Sequence, residues 1–325
     1  MTADETVDVV ADADAPASHR VYGTRPMALT DEIRARCAWV AERARSVRIV
    51  EDAIEPYAAT LPAQSPPPPD LDGAEDEARA AFLLQLNAIN FGSGWFPTLR
   101  KAPGMSGFRT VEAGLRAHGP FTAAELAATM TGAIAAVVGQ DPEHELMALF
   151  AAHLRELGER VRDEEDGSFL ALARSGDGSA ERLASRLAGW PGWRDVSPYE
   201  GEDVPFFKRA QIAAADLALA GLAPAGDLAG LTLFADNLVP HVLRLDGVLE
   251  ADPELVARID AGVLLEHDAP EEVELRACAL HAVELLVAAH PAGTTATAVD
   301  NVLWHRGGGA RYKARPRHRA RTIAY

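Results

Sequence analysis

The sequence predicts an all-α fold, and three observations carry that prediction. Apolar residues recur at spacings of three and four, as at Ile33, Cys37, Val40, Ala44 and Val47, which is the period of a helix with one buried face. Alternating, strand-like segments are scarce; the best, "VRIV" at 47–50, is short. The joints between periodic segments are mostly brief and contain Gly, Pro or Asp. With 325 residues, 48% of them hydrophobic, the chain can bury a sizeable core.

The elements follow in order. Residues 1–25 are acidic and rich in Ala and Pro, and are expected to be disordered; residues 26–325 are expected to form a single domain. The N-terminus has no basic region leading into an apolar stretch, so it does not read as a secretory signal. A helix starts at Thr30 and a shorter one spans Ile54 to Leu61. "PAQSPPPPD", 62–70, predicts an extended connector, because proline fixes φ and removes donors. A helix over 74–90 ends in "NFGSGWFP", where Gly92 and Gly94 break it and Trp95 and Phe96 bring aromatic surface. Thr122 and Glu125 spell a capping box, and Asp141-Pro142 an N-cap with proline in the first turn. Further helices are expected near 168–174, 179–188, 206–221, 238–249, 253–261, 271–289 and 296–305. Between Asp246-Gly247 and Asp252-Pro253 the spacing fits a helix–hairpin–helix unit or an ordinary αα-turn.

Charge narrows the function. The formal net charge is -17, from 31 basic and 48 acidic residues, which disfavours a broad phosphate-backbone or anionic-membrane surface. No apolar run reaches the roughly 18 to 20 residues of a membrane helix. The two cysteines, Cys37 and Cys278, lie in apolar helical patterns and read as free buried thiols. The resulting expectation is a cytoplasmic monomer with no stable nucleic-acid partner and no membrane.

Motifs for metal, phosphate-loop and nucleophilic chemistry are missing. There is no H-E-x-x-H or C-x-x-C, no glycine-rich phosphate loop after a strand, and no G-x-S-x-G. No metal is expected. What remains is carboxylates in apolar surroundings: Asp236, Glu274, Glu284 and Asp300. Asp236 stands out within "LTLFADNLVPHVLRLDGVL", 231–249, because Leu231, Leu233, Phe234, Leu238 and Val239 bracket it. It reads either as a functional acid or as the N-cap of the helix that follows. Among 31 basic residues only three are lysines, so Lys208 in an apolar context suggests a compact ammonium with a task. The closing "RGGGARYKARPRHRARTIAY" is either a solvated tail or a closure over an anionic ligand.

Several strings together carry a resemblance. "GSFLALARS" (167–175), "WRDVSPYEGEDVPFFKRAQI" (193–212), "FADNLVPHVLRLDGVL" (234–249), "EEVELRACALHAVELL" (271–286), "DNVLWH" (300–305) and "RTIAY" (321–325) resemble the queuosine salvage proteins, in collinear order from about residue 80 to the end. That resemblance implies an N-glycosidase that hydrolyses queuosine 5′-phosphate to queuine and ribose 5-phosphate, without metal or cofactor. It implies an all-α fold similar to the helix–hairpin–helix DNA glycosylases. The family's catalytic aspartate falls on Asp236 and its base-contacting phenylalanine on Phe234. Asp300 and Asn301, and with them His305, fall on base-binding positions; Lys208 falls on the lysine of "KRAQI". Lys208, Arg209 and Asn237 are the candidates for phosphate and ribose, with the terminal arginines as further candidates for the phosphate. His305 stands where the family often has a carboxylate, and "NFGSGWF" expands a shorter family string. A different 7-deazaguanine nucleotide, or a non-catalytic nucleotide- or tRNA-binding role, therefore stays open; a DNA-repair glycosylase is disfavoured by the -17 charge.

Overall fold

The computed structural model describes residues 27–64 and 74–325; the expectations for residues 1–25 and for most of the 62–70 connector lie outside these residues. In chain order the elements are α1 (Leu29–Ala41), β1 (Val47–Ile49), α2 (Glu51–Ala58), α3 (Asp76–Ala88), α4 (Gly107–His118), α5 (Ala123–Ala127), α6 (Thr131–Val137), α7 (Glu145–Glu164), α8 (Phe169–Arg174) and α9 (Ala180–Ala188). Then come β2 (Val196–Tyr199), β3 (Glu202–Pro205), α10 (Lys208–Leu219), α11 (Leu238–Leu245), β4 (Leu249–Ala251), α12 (Pro253–Asp260), α13 (Pro270–Ala289), α14 (Ala296–Gly307) and α15 (Ala310–Lys313). The all-α expectation holds, with two small antiparallel pairs added to it. β1 pairs with β4, with Val47 opposite Ala251, and β2 pairs with β3, with Val196 opposite Pro205. Among the described residues no helix is long and apolar enough to cross a membrane.

Several boundaries differ from the sequence reading, each for a local reason. The 206–221 helix starts at Lys208, and a hairpin that periodicity did not announce precedes it. Its turn residues, Glu200 and Gly201, both have positive φ, the geometry of a tight primed turn. Pro198 inside β2 masks the strand signal, yet a two-stranded pair has only edges and tolerates it. The 238–249 helix stops at Leu245, because 249–251 leave to pair with β1 as β4. α7 begins at Glu145 rather than at Pro142: His144 is the N-cap, its Nδ1 accepting from Leu146 N, while Asp141 accepts from Glu143 N in the turn before. The Thr122–Glu125 capping box forms as read. Helices α4 and α6 were not anticipated.

The apolar faces meet in two large cores. One gathers α3 and α5 to α10 around Phe91, Phe150, Leu154 and Trp193. The other gathers α1, α2 and α11 to α14 around Ile33, Val242, Val283 and Leu303, with the free thiols Cys37 and Cys278 inside it. Phe207 packs against both.

At this junction a buried ion pair sets the backbone. Arg276 of α13 grips Asp195 with Nη1 and Nη2 at 2.9 and 2.8 Å, and its Nε donates to the Ala235 carbonyl at 3.0 Å. Burial alone would push the Arg276 guanidinium down; the Asp195 carboxylate outweighs it and holds the group above its usual range. Asp195 Oδ2 also accepts from the Lys208 backbone N–H at 3.0 Å. One pair therefore fixes the residue before Asp236 and the first residue of α10. Immediately before α10, Phe207 is held at φ 47° and ψ 43°, a left-handed conformation that costs a bulky residue about 1–3 kcal/mol.

Candidate active site

Between the two cores lies a cavity of about 1680 Å³, lined by α3, α4 and α10 on one side and by α11, α14 and the segment after α15 on the other. Such a volume exceeds that of an ordinary small-molecule pocket. Phe234, Asp236, Asn237, Lys208, Asp300, Asn301 and His305 all line it, although they are spread over almost a hundred residues of sequence.

Asp236 takes up the cap reading of the two that the sequence left open, and it also lines the cavity. Its Oδ1 accepts from the backbone N–H of Leu238 at 2.6 Å and more weakly from Val239 at 3.4 Å, so it caps α11. Those bonds engage one oxygen only, and the half-buried residue lines the cavity. Asn237 does not cap the helix. It is buried, and its Nδ2 donates to the His318 carbonyl at 2.8 Å, tying the C-terminal segment beside Asp236.

Opposite stands Asp300, on α14 and 8% exposed. Its Oδ1 accepts from the Phe234 backbone N–H at 3.3 Å, which joins the two strings. Burial, and then the neighbouring Asp236, push the Asp300 carboxyl well above the carboxylate range, so it favours its protonated form. One helical position on, Asn301 presents a buried side-chain oxygen with no partner. His305 is exposed, its Nδ1 2.8 Å from the Asn301 carbonyl, one turn further toward the mouth.

Lys208 is the cation of this group. Its Nζ donates to the Asn90 carbonyl at 2.8 Å. Burial lowers its pKa to about 8, against the opposing pull of Asp236 and Asp300. Arg209, in contrast, does not reach the cavity. Its guanidinium donates to the carbonyls of Ala88 and Gly192 and lies over the Phe91 and Trp193 rings, where burial pulls it down to about 10. It ties the end of α3 to the loop after α9, and the phosphate or ribose role expected of it has no geometry to act through.

Other residues of the site escaped the sequence reading. Asp216 lines the cavity, accepts from Asn87 Nδ2 at 2.8 Å, and is raised by burial to about 6. Asn87 Oδ1 in turn accepts from Asn90 Nδ2 at 3.1 Å. The signal was available: Lys208, Ile212 and Asp216 follow at four-residue steps, one face of α10. The remaining apolar-context acids are structural. Glu274 accepts from the N–H groups of Ser46 and Val47 and from the Tyr199 hydroxyl, and Glu284 pairs with Arg34 at 3.0 Å.

"NFGSGWF" is shaped by the chain's last residues. A Cβ on Gly94 would overlap the Ala320 carbonyl, and the Gly92 N–H donates to the Tyr325 carbonyl at 2.9 Å. The glycines therefore seat the C-terminal segment as part of the cavity wall, which resolves the tail-or-closure question toward a wall.

Among the described residues one group could hold a metal ion: His267, Asp268 and Glu272, with ligand atoms within 4.8 Å of one another. None of the three lines the cavity, and His267 Nδ1 faces Glu272 Oε2 at 3.4 Å, as an ion pair would.

Comparison with known proteins adds identity to this geometry. The family model described as "Queuosine salvage protein" matches residues 71–325. A protein of Sphaerobacter thermophilus named queuosine 5′-phosphate N-glycosylase/hydrolase is 34% identical over 311 residues, covering 88% of this chain and 95% of that relative. Proteins with the same name from Bos taurus and Dictyostelium discoideum are 33% and 35% identical over 175 and 181 residues, spanning 51% and 56% of their lengths and 51% and 53% of this chain. The chain belongs to the queuosine salvage protein family.

Proposed function

We propose that this chain hydrolyses the N-glycosidic bond of queuosine 5′-phosphate and releases queuine and ribose 5-phosphate. The observation that carries the reading is Asp236, one oxygen committed to capping α11 and the carboxylate turned to a cavity shared with Phe234, Lys208 and Asp300. Breaking the glycosidic bond builds positive charge on the sugar ring. A fixed carboxylate in a low-dielectric site stabilises that charge and orients the attacking water. The cap holds Asp236 in place, so little reorganisation is needed as charge develops.

A 7-deazapurine has no N7 to protonate, so the leaving base needs hydrogen bonds at its other atoms. Asp300, biased toward its protonated form, donates one, and the unpartnered Asn301 oxygen accepts another. Phe234 stacks on the base. Lys208, in the field of both Asp236 and Asp300, acts at the ribose rather than at the phosphate. Asn237 acts on the site through the C-terminal segment it holds.

The same reading takes residues 26–325 as one domain similar to the helix–hairpin–helix glycosylases; its support is α11, the Asp246-Gly247 turn and α12. It also takes the protein as a cytoplasmic monomer that needs no metal or cofactor, in keeping with the -17 net charge. A second reading, a 7-deazaguanine nucleotide with a smaller 7-substituent, is favoured by His305 at the position where a carboxylate would meet the cationic side chain.

The test is incubation with queuosine 5′-phosphate, queuosine and the 7-aminomethyl-7-deazaguanosine 5′-phosphate analogue, following free base by chromatography. Release from the first above the others supports the reading. Preference for the third supports the second reading, and no release from any sinks both.

A further inference from the structure

The 5′-phosphate still needs a partner, because Arg209 is occupied and Lys208 sits among carboxylates. We propose that the phosphate is read by Arg317, in the segment after α15, together with His241 of α11. This rests on the nucleotide hydrolysis proposed above.

The argument begins with the other cations of the cavity. Arg79 donates to Asp76 and the Ala220 carbonyl, Arg109 and Arg116 share Glu112, and Lys208 donates to the Asn90 carbonyl. Arg315 pairs with Asp260 at 3.5 Å, and Arg319 donates to the Gly262 carbonyl at 3.1 Å. Lys101 and Lys313 are exposed at the rim. Arg317 differs from all of these. It is half-buried, lines the cavity, and has no hydrogen-bond or ion-pair partner among the described residues. A partly desolvated guanidinium left unpaired is costly, which is the condition of a site built for an arriving anion.

His241 is a second, independent observation. Its ring is 3% exposed and lines the same cavity. Nε2 lies 3.0 Å from the Tyr312 carbonyl, an acceptor, which assigns the proton to Nε2. Nδ1 is then buried with no partner. It can accept from a phosphate monoanion or, once protonated, donate to the dianion.

Position completes the case. Arg317 feels the charge of Asp236 without ion-pairing to it, and His241 feels the charge of Arg317. In ribose 5-phosphate the phosphate stands across the sugar from C1′, so the chemistry requires an anion site in the same cavity as Asp236, and Arg317 and His241 line that cavity. The segment is held there by bonds that leave the Arg317 side chain free: Asn237 to the His318 carbonyl, and the Leu265–Ala320 bridge. A guanidinium so placed can engage two phosphate oxygens at once.

The experiment compares kcat/KM for queuosine 5′-phosphate and queuosine in wild type, Arg317→Gln, Arg317→Lys and His241→Gln, with melting temperatures as the folding control. In Arg317→Gln the ratio of phosphorylated to unphosphorylated kcat/KM should fall on the order of 10- to 100-fold, carried by KM, and Arg317→Lys should recover part of it. A ratio unchanged from wild type in Arg317→Gln overturns the proposal. If wild type releases base from neither compound, the queuosine 5′-phosphate reading fails. Calorimetric titration with ribose 5-phosphate then decides the anion site alone: binding lost in Arg317→Gln upholds it, and equal affinity overturns it.

Discussion

Two groups of buried charge lie side by side in this molecule and are treated in opposite ways. Arg276 and Asp195 are matched to each other: the ion pair engages both carboxylate oxygens and both terminal nitrogens, Nε donates to the Ala235 carbonyl, the Lys208 N–H donates to Asp195, and the Phe206 ring covers the guanidinium at 3.9 Å. Asp236, Asp300, Asp216 and Lys208 are unsaturated. Each makes one or two bonds to protein and turns what remains toward the cavity. Asp300 and Lys208 are buried like that pair while Asp236 and Asp216 are half-buried, so burial alone does not distinguish the two groups. The cavity does: Asp236, Asp300, Asp216 and Lys208 line it and Arg276 and Asp195 do not, and a polar group left partly unpaired at a cavity wall has a cost that an arriving ligand can offset.

The comparison can be broken from the structural side first. Arg276→Ala leaves Asp195 buried and unpaired, and should cost about 3–5 kcal/mol in a denaturant titration. A loss below ~1 kcal/mol would mean that the pair does not hold the junction. On the working side, Asp236→Asn should lower base release on the order of 10²- to 10³-fold. Its melting temperature should stay close to wild type, since an asparagine oxygen still caps α11. Full activity in that variant would move the chemistry elsewhere.

A smaller effect is expected from Asp216, and its sign follows from linkage. Its folded pKa, about 6, lies above the ordinary 3.8. The native state therefore binds this proton more tightly, and the residue's contribution to stability falls as pH rises from about 4 to 6, then levels off. Asp216→Asn removes that loss, so relative to wild type the variant should gain about 1–3 kcal/mol across this window. A difference independent of pH would show that Asp216 titrates as an ordinary carboxyl. The least effect is expected at exposed His305: His305→Asp should raise kcat/KM for queuosine 5′-phosphate a few-fold relative to the aminomethyl analogue. An unchanged ranking would remove His305 from specificity.

Much of this was legible beforehand where the signal is local. The "FAD" carboxylate was open to two readings, cap or acid; the geometry shows the cap, made through Oδ1 alone, and the acid role is the one proposed for the cavity side. Lys208 was legible because a lone lysine in an arginine-rich chain is unusual, and Asp216 lay within reach of the same helical spacing. Arg209 was misjudged because adjacency to Lys208 suggested a shared task, whereas neighbours on a helix point about 100° apart. Arg317 looked like one more charge in a basic run of six among 311–321, and sequence has no way to mark which of six arginines and lysines lacks a partner.

The sequence by itself determined the helices, their apolar faces, the exclusion of common metal and nucleophile motifs, and the family strings. Those are written in spacings of three and four and in short contiguous words, which a linear reading can follow. Tertiary structure alone decided which buried charges are satisfied. Phe234 meets Asp300 across 66 positions, Arg276 meets Asp195 across 81, and Asn237 meets the His318 carbonyl across 81. A polar group's fate depends on what closes over it, and that closure comes from segments whose distance along the chain carries no periodic trace.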